Sequence, residues 1–346
     1  MEAYKILDRF ELLYSDDKRF ADLRRAYIDQ DLNSVFRLVD KEELRKAIVE
    51  KNIHSIFRSV DNKRIAGDLE DLRKAVVEQN LHSLFRLMPG NDDLRKAIVE
   101  DNIHSIFRLI ENDDLKGLVL NDNTYSLWRL LQSFVDTNFI YAFKFMNEQN
   151  INFDEDCFSR GQLQSKLWLV NELKKISVDL GTVFLCAGWY GTLSTMMFEA
   201  NLSIDKIRSF DIDERTEEIA EIFNRPWVID GWKFKPVVQD IHDINFNDHC
   251  YIVTKRDGEF ETLYDSPDTI INTSCEHIHN FDEWYCKIPR GKLVILQCNN
   301  FKEVEEHVNT HDTLESFAKQ TPMEVELYSG ELDLGNYKRW MRIGYR

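Results

Sequence analysis

The stretch LCAGWYGTL, residues 185–193, links an apolar run to a glycine-containing loop and then to a helix-forming segment. The residues at 181–187 are almost continuously apolar, which is typical of a strand buried on both faces of a parallel sheet. Gly188 and Gly191 allow a tight turn or a close approach of the backbone to a ligand. The loop is therefore either part of a nucleotide-binding site or a turn between two ordinary elements.

Helical and apolar segments alternate on both sides of this loop. A helix is predicted at 162–176, and strands are predicted at 181–187, 206–213, 232–241, 268–274 and 292–298. Because strands that alternate with helices form parallel sheets covered on both faces, the pattern predicts a doubly wound, Rossmann-like α/β fold. A helix at 312–320 and strands at 323–332 and 336–346, joined by a short turn, predict a C-terminal antiparallel hairpin.

Acidic residues follow the second and third predicted strands. Asp211 comes about twenty residues after the glycine loop, which is the distance at which an acid holds the ribose hydroxyls in dinucleotide-binding folds. Asp240 follows the third strand, where a carboxylate or backbone groups can face an adenine. These positions favour the nucleotide-binding interpretation, although helix caps or turns would use the same residues.

Over residues 160–346 the chain resembles the class I S-adenosylmethionine-dependent methyltransferase family. Its sequence is similar to those of uncharacterised members found in bacteriophages. The segments that carry the resemblance are Cys186-Ala187-Gly188-Trp189-Tyr190-Gly191, Phe210-Asp211-Ile212-Asp213, Gln239-Asp240-Ile241 and the fourth-strand region that begins at Ile271-Asn272. The resemblance implies S-adenosylmethionine as cofactor, with Asp211 and Ile212 beside the ribose and Asp240 and Ile241 near the adenine. It also implies an antiparallel final strand.

Three residues at the end of the fourth strand are candidates for catalysis. His277 is the candidate general base, Glu276 lies beside it, and Asn272 ends the strand where it would also contact the cofactor. Capping of the following helix is the alternative role for the first two. Asn299, Asn300, His307 and His311 are candidates for the acceptor pocket. No set of histidines and cysteines has metal-ligand spacing, so no metal is expected.

An internal repeat occupies the N-terminal part, which we predict to be a separate domain of residues 1–150. Five copies begin at residues 22, 43, 71, 93 and 114, and each has the helical spacing of a short helical hairpin. Because such hairpins are too small to be stable alone, stacking into an all-α solenoid is expected. A regular column of arginines either pairs with equally regular acids or guides an anionic ligand.

Charge and cysteine content restrict the partners and the compartment. The formal net charge is −17, which repels phosphate backbones and favours a protein or a small molecule over nucleic acid as acceptor. All six cysteines follow residue 150 without a paired spacing, which is typical of reduced thiols in the cytoplasm. No run is apolar enough to span a membrane.

Three functional hypotheses remain open from the sequence. The first is an active methyltransferase whose repeats dock the acceptor or another protein partner. The second is a methyltransferase-like module without catalysis that acts in assembly, which Cys186 and the altered glycine spacing favour. The third is an RNA methyltransferase, for which binding would depend steeply on salt.

Overall fold

The computed structural model describes residues 3–28, 131, 135–255 and 258–346. The predicted repeats therefore lie almost entirely outside the described residues, as do the arginine column and the solenoid arrangement. Two N-terminal helices are described, α1 (Ala3–Leu13) and α2 (Arg19–Ile28), and the second includes the start of the first repeat copy. They pack through Phe10, Tyr14 and Phe20, whose ring centroids are 5.7–6.2 Å apart.

Residues Thr137–Ala142 and Asn150–Arg346 form one compact unit. It therefore includes residues that the sequence analysis places before residue 160. Its helices are α3 (Asn138–Gln149, of which the first residues belong here), α4 (Arg160–Ile176), α5 (Thr192–Glu199), α6 (Thr216–Phe223), α7 (Arg225–Ile229), α8 (Phe281–Lys287) and α9 (Leu314–Gln320). Its strands are β1 (Thr182–Cys186), β2 (Lys206–Asp211), β3 (Phe234–Val238), β4 (His249–Thr254), β5 (Phe260–Asp265), β6 (Thr269–Asn272), β7 (Leu293–Asn299), β8 (Val325–Asp333) and β9 (Lys338–Tyr345).

Seven of the described strands form one sheet in the order β3-β2-β1-β6-β7-β9-β8. The five adjacent strands β3, β2, β1, β6 and β7 are mutually parallel. Their arrangement is the 3-2-1-4-5 order of a doubly wound sheet. This confirms the predicted Rossmann-like arrangement. The predicted C-terminal hairpin is also confirmed, because β9 is antiparallel to both β7 and β8.

A two-stranded antiparallel ribbon, β4 and β5, lies between β3 and β6 in the chain and was not predicted. Its base is anchored to the main sheet by a buried ion pair, in which the Nε of Arg208 on β2 is 2.7 Å from the carboxylate of Asp265 on β5. Tyr251 on β4 donates a hydrogen bond to the same carboxylate. Burial alternates along β4, since one face of the ribbon is left to solvent.

One hydrophobic core cluster of this unit lies on one face of the parallel sheet. Phe184, Phe210, Ile270 and Val294 come from four of its strands and pack with Trp284 of α8, and all five are fully buried. Continuous apolar runs in these strands have this physical cause, because helices cover both faces and no position is left to water. Among the described helices, none is long and apolar enough to cross a membrane. All six cysteines are described and have free thiols.

Candidate functional site

Four strand ends converge at one edge of the sheet. β3, β2, β1 and β6 are adjacent and parallel, so the residues that follow them, Asp240, Asp211, Ala187 and the terminal Asn272, lie on the same side. Strand order reverses between β1 and β6, which is where ligands of open α/β sheets bind. The structure therefore gathers the predicted cofactor-binding positions at one edge.

The loop after β1 has an unusual backbone. Ala187, Trp189 and Gly191 have φ angles of 55°, 49° and 63°, in the left-handed region. For the two that carry a side chain this conformation costs on the order of 1–2 kcal/mol each, and strain of this kind concentrates where a loop is shaped for a ligand. The backbone shape at the edge is thus maintained by the surrounding structure and not by the preferences of the loop residues.

Both predicted glycines are required by close packing. A Cβ on Gly188 would lie 2.0 Å from the Oγ of Ser209 on β2. A Cβ on Gly191 would lie 2.8 Å from the Nδ2 of Asn224 and 2.9 Å from the ring of Phe234. These glycines therefore bring the loop directly against β2 and the start of β3, as a cradle at a strand-to-helix turn requires.

Two side chains hold this loop: Asn224, which the sequence analysis missed, and Tyr190, which it placed in the predicted cofactor-binding loop. Asn224 is fully buried and donates from Nδ2 to the carbonyl of Gly191 at 3.0 Å, while its Oδ1 accepts from Thr195 of α5 at 3.0 Å. The hydroxyl of Tyr190 accepts a hydrogen bond from the backbone amide of Asp154 at 3.2 Å. No sequence pattern marks Asn224, because it supports the loop from 33 residues away in the chain.

Asp211 ends β2 with its carboxylate against the loop. Oδ2 accepts a hydrogen bond of 2.8 Å from the amide of Trp189, and Oδ1 accepts one of 3.1 Å from the amide of Asp213. Burial raises the pKa of Asp211 above its ordinary value, although these amides act in the opposite direction. Ile212 beside it is 71% exposed, so an apolar side chain faces solvent next to the acid. A ribose and a flat base would find an acceptor and an apolar contact here.

Other residues that were predicted to bind the cofactor have structural roles. Asp240 caps the 3-10 turn Ile241–Asp243 by accepting from the amide of His242 at 2.9 Å, and Ile241 is 6% exposed within the core. The side chain of Cys186 is also in the core, and burial raises the pKa of its thiol. A ligand would therefore contact Cys186 and Ile241 through the backbone, while the neutral thiol cannot replace the acid that the resembling family carries there.

Asn272 is fully buried at the end of β6, one residue beyond the pairing of Leu185 with Ile271. Its Oδ1 accepts from the amide of Ser274 at 2.9 Å. Its Nδ2 has no hydrogen-bond partner within the described part of the chain. Because an unsatisfied buried donor is costly, this amide is a candidate to contact a ligand at the edge.

Glu276 lies in the 3-10 turn Cys275–His277 and is 1% exposed. It forms an ion pair with buried Arg339 of β9 and accepts from the Nδ2 of Asn299 at 2.6 Å. Arg339, which the sequence analysis did not single out, thus fixes this carboxylate. A charge paired in this way is better suited to orienting neighbours than to transferring a proton.

His277 lies partly exposed at the end of the same turn. Burial of its ring lowers the pKa of His277 below its ordinary value, so the ring is neutral at pH 7 and can accept a proton. Its ring contacts that of His307 edge to face, with centroids 4.5 Å apart. The structure therefore brings together Glu276, His277 and two of the four residues predicted for the acceptor pocket, Asn299 and His307.

No protein-family model matches the chain, and no curated protein is a significant match to it. Among solved structures, the chain is similar to the N-methyltransferase NodS from Bradyrhizobium japonicum WM9 in complex with S-adenosyl-L-homocysteine, with 8% identity, 59% of this chain and 98% of that chain covered, and a TM-score of 0.40. It is also similar to magnesium protoporphyrin IX methyltransferase from Synechocystis PCC 6803 with bound SAM (12% identity, 53% and 78% covered, TM-score 0.36). A third is a putative sarcosine dimethylglycine methyltransferase from Galdieria sulphuraria (10% identity, 53% and 86% covered, TM-score 0.37).

These likenesses are too distant to carry a functional argument. The assignment of the fold rests on strand order and strand direction in this chain. Five parallel strands in doubly wound order, completed by an antiparallel strand beside the fifth, form the Rossmann-like sheet that the resemblance to class I methyltransferases implies.

Proposed function

We propose that this chain is an S-adenosylmethionine-dependent methyltransferase whose cofactor lies along the ends of β1, β2, β3 and β6. The observation that carries the proposal is the position of Asp211, which ends β2 with its carboxylate 2.8 Å from the amide of the loop residue Trp189. Each carboxylate oxygen accepts one hydrogen bond from these amides and has a further lone pair for a ribose hydroxyl.

The residues around Asp211 fit the remainder of the cofactor. The loop at Gly188 and Gly191 leaves no room for a Cβ and brings its backbone close to the edge. The exposed side chain of Ile212 offers an apolar surface for a base, and the Nδ2 of Asn272 offers a donor that no other described group uses. The neutral side chain of Cys186 lies in the core, so it has no charge interaction with the ligand.

The chemistry needs little from the protein beyond position. When bound, S-adenosylmethionine supplies a methyl group that a nucleophile of the acceptor displaces from sulfur in line. Holding that nucleophile in line contributes most of the acceleration, and removal of its proton contributes the rest. His277 is the proposed base, because its ring is accessible to solvent in the turn that follows β6 and its pKa lies below the ordinary value, which keeps the ring neutral at pH 7.

The acceptor is proposed to be a protein or a small molecule, with the N-terminal repeats as its docking surface or that of another partner. The formal net charge of −17 supports this choice over nucleic acid. If the acceptor is an RNA, its affinity will fall steeply between low and physiological salt, whereas the affinity of an uncharged small acceptor will not.

A module without catalysis is the second candidate. It is favoured by the buried thiol of Cys186 at the position of the family's acid and by the stacked rings of Trp189 and Tyr190, with centroids 5.1 Å apart, within the loop. In this candidate the fold is retained for interaction and the carboxyl edge binds no cofactor.

Calorimetric titration with S-adenosylmethionine and S-adenosylhomocysteine tests the proposal on the wild type, Asp211→Asn and Asp213→Asn. Asp213 is the matched control, since it is two residues away and its carboxylate pairs with exposed Arg215. We expect binding to the wild type and to Asp213→Asn, and a loss of about tenfold or more in Asp211→Asn, because a charged acceptor is removed. No binding by folded wild-type protein would contradict the proposal and favour the module without catalysis.

A further inference from the structure

Three potential metal ligands converge beyond the end of β6. Glu276 and His277 belong to the 3-10 turn Cys275–His277, and His307 lies in the loop that follows β7. One ligand atom from each residue can be chosen so that all three lie within 4.8 Å of one another. We propose, against the expectation from sequence spacing, that Glu276, His277 and His307 bind a divalent transition-metal cation.

One ring nitrogen of His307 is held by a hydrogen bond, which leaves the other available. The Nδ1 of His307 donates to the carbonyl of Phe301 at 2.5 Å, which leaves Nε2 with its lone pair. The exposed ring of His277 packs edge to face against the ring of His307, which the hydrogen bond to Phe301 holds in place. Metal-binding histidines are oriented in this way, because the hydrogen bond fixes both the tautomer and the ring direction.

Glu276 offers the oxygen ligand. Its Oε1 is occupied by Asn299 and Arg339, whereas its Oε2 has no hydrogen-bond partner in the described residues, although the side chain is 1% exposed. A buried carboxylate oxygen is costly without a partner, and a bound cation would supply one. Arg339 orients the carboxylate through their ion pair, which is the role of an outer partner in a metal site.

The two loops that carry the ligands are joined. The amide of Asn309 donates to the carbonyl of Glu276 at 2.9 Å, and the Nδ2 of Asn309 donates to the carbonyl of Cys275 at 3.1 Å. These bonds hold the segment after His307 against the turn that carries the other two ligands. The geometry is therefore set by backbone contacts before any cation arrives.

The ligand set selects the class of cation. Two imidazoles and one carboxylate suit Zn²⁺, Co²⁺, Mn²⁺ or Fe²⁺, whereas Mg²⁺ and Ca²⁺ prefer oxygen ligands throughout. Three protein ligands leave at least one coordination position open. Resting on the proposed function, that position would hold an oxygen or nitrogen atom of the methyl acceptor, since Glu276 lies four residues beyond the strand end at Asn272. With the cation bound, His277 would be a ligand and not the base, and the charge of the cation would favour loss of the acceptor's proton to solvent.

Titration of tag-free, EDTA-treated full-length protein with CoCl₂, followed by visible absorption and calorimetry, tests the site directly. The variants are His277→Ala and His307→Ala, with His279→Ala as the control, because His279 is exposed, lies two residues from His277 and is outside the cluster. We expect one tight site in the wild type and in His279→Ala, weakened about tenfold or more in each of the other two variants.

Two results would overturn the site. One is a wild-type protein that binds no Co²⁺. The other is binding that survives both His277→Ala and His307→Ala, which would assign the cation to other residues of the chain. If these variants lose thermal stability and the wild type binds no cation, the two histidines have only a packing role, through their edge-to-face contact. Binding of S-adenosylhomocysteine, measured in parallel, reports separately on the proposed function.

Discussion

The carboxylate of Asp211 and the backbone amide of Trp189 lie 2.8 Å apart, which joins the end of β2 to the loop after β1. The two residues are 22 positions apart in the chain, and parallel pairing of the two strands makes them neighbours. The loop and the acid are therefore one unit. A ligand that contacts one of them depends on the other.

Cofactor affinity should depend on the ionisation of Asp211. Burial raises the pKa of Asp211, so its carboxylate becomes protonated at a higher pH than the ordinary value of about 3.9. Because only the carboxylate accepts from both ribose hydroxyls, the affinity for S-adenosylhomocysteine should be constant at neutral pH and fall on acidification. The midpoint should lie above 3.9. Calorimetry across this range should show the fall in wild type and a flat, weak profile in Asp211→Asn; a wild-type profile that stays flat would dissociate the acid from binding.

Alanine substitutions at two glycines with the same left-handed backbone conformation should distinguish the cost of backbone strain from the cost of close packing. Gly191 and Gly231 have φ angles of 63° and 57°, but only the first has neighbours that a Cβ would meet, since none of the described heavy atoms comes within 4 Å of a Cβ at Gly231. Gly231→Ala should cost about 1 kcal/mol of unfolding free energy, the cost of the left-handed conformation. Gly191→Ala should cost roughly 1–3 kcal/mol more, because its neighbours are displaced. Urea unfolding of both variants would show equal losses if the cradle is loose.

Lys166 should reduce stability at neutral pH. Burial, with a smaller contribution from Arg339, lowers the pKa of Lys166 to about 8. Between about pH 8 and the unfolded value near 10.4 the unfolded chain holds more protons, so stability should rise with pH in this window. Lys166→Met should abolish that rise and stabilise the protein at pH 7 by on the order of 2–3 kcal/mol.

Lys175→Met is the control for that variant, since Lys175 lies exposed on the same helix, α4. It should leave both the stability and its pH profile close to those of the wild type. A Lys166→Met variant that is less stable than the wild type at pH 7 would show that the hydrogen bond from Lys166 to Gln162 outweighs the burial of the charge.

The ribbon should be lost when its buried anchor is broken. Burial acts to raise the pKa of Asp265, but hydrogen bonds from Lys206 and Tyr251 and the charge of Arg208 together lower it below the ordinary value. Asp265→Asn leaves Arg208 without its buried counterion and should cost about 3 kcal/mol or more at pH 7. The advantage of the wild type should shrink as the pH falls below about 3.9, because the unfolded chain takes up the proton first.

Chemical unfolding of this variant at pH 7 and in acid provides the measurement. Glu315→Gln is the matched acidic control, since Glu315 and its partner Lys319 are both exposed and such pairs contribute little. Equal effects of the two substitutions would show that the anchor of the ribbon contributes no more than a surface pair.

Local patterns in the sequence were sufficient to predict most of the strands in the compact unit of Thr137–Ala142 and Asn150–Arg346. The alternation of helical segments with apolar, strand-forming segments predicted the parallel strands, and two strand-forming segments joined by a short turn predicted the hairpin of β8 and β9. The glycine loop and Asp211 were also predicted from spacing, because one strand-helix-strand unit fixes the distance between them. The role of the predicted site residues in binding a cofactor stays a prediction.

Local patterns were insufficient wherever a contact joins distant segments. β4 and β5 were not predicted, and their anchor is the buried pair of Arg208 and Asp265, which are 57 positions apart. Asn224 and Arg339 support the site from other elements, and neither has a neighbour in sequence that would mark it. His307 was predicted only for an acceptor pocket, and its approach to His277 depends on the loop after β7.

Apart from the ribbon of β4 and β5, local patterns in the sequence predicted the order of the strands, the glycines that the loop requires and the acid at the end of β2. These follow from periodicity and from the steric needs of single residues, which are local properties of the chain. The tertiary structure was needed to show that Cys186 and Ile241 face the core, that Glu276 pairs with Arg339 and that two histidines from separate loops are in contact. The reason is that side-chain direction and long-range pairing are set by how the sheet closes and how its loops return over its edge, and no local pattern encodes either.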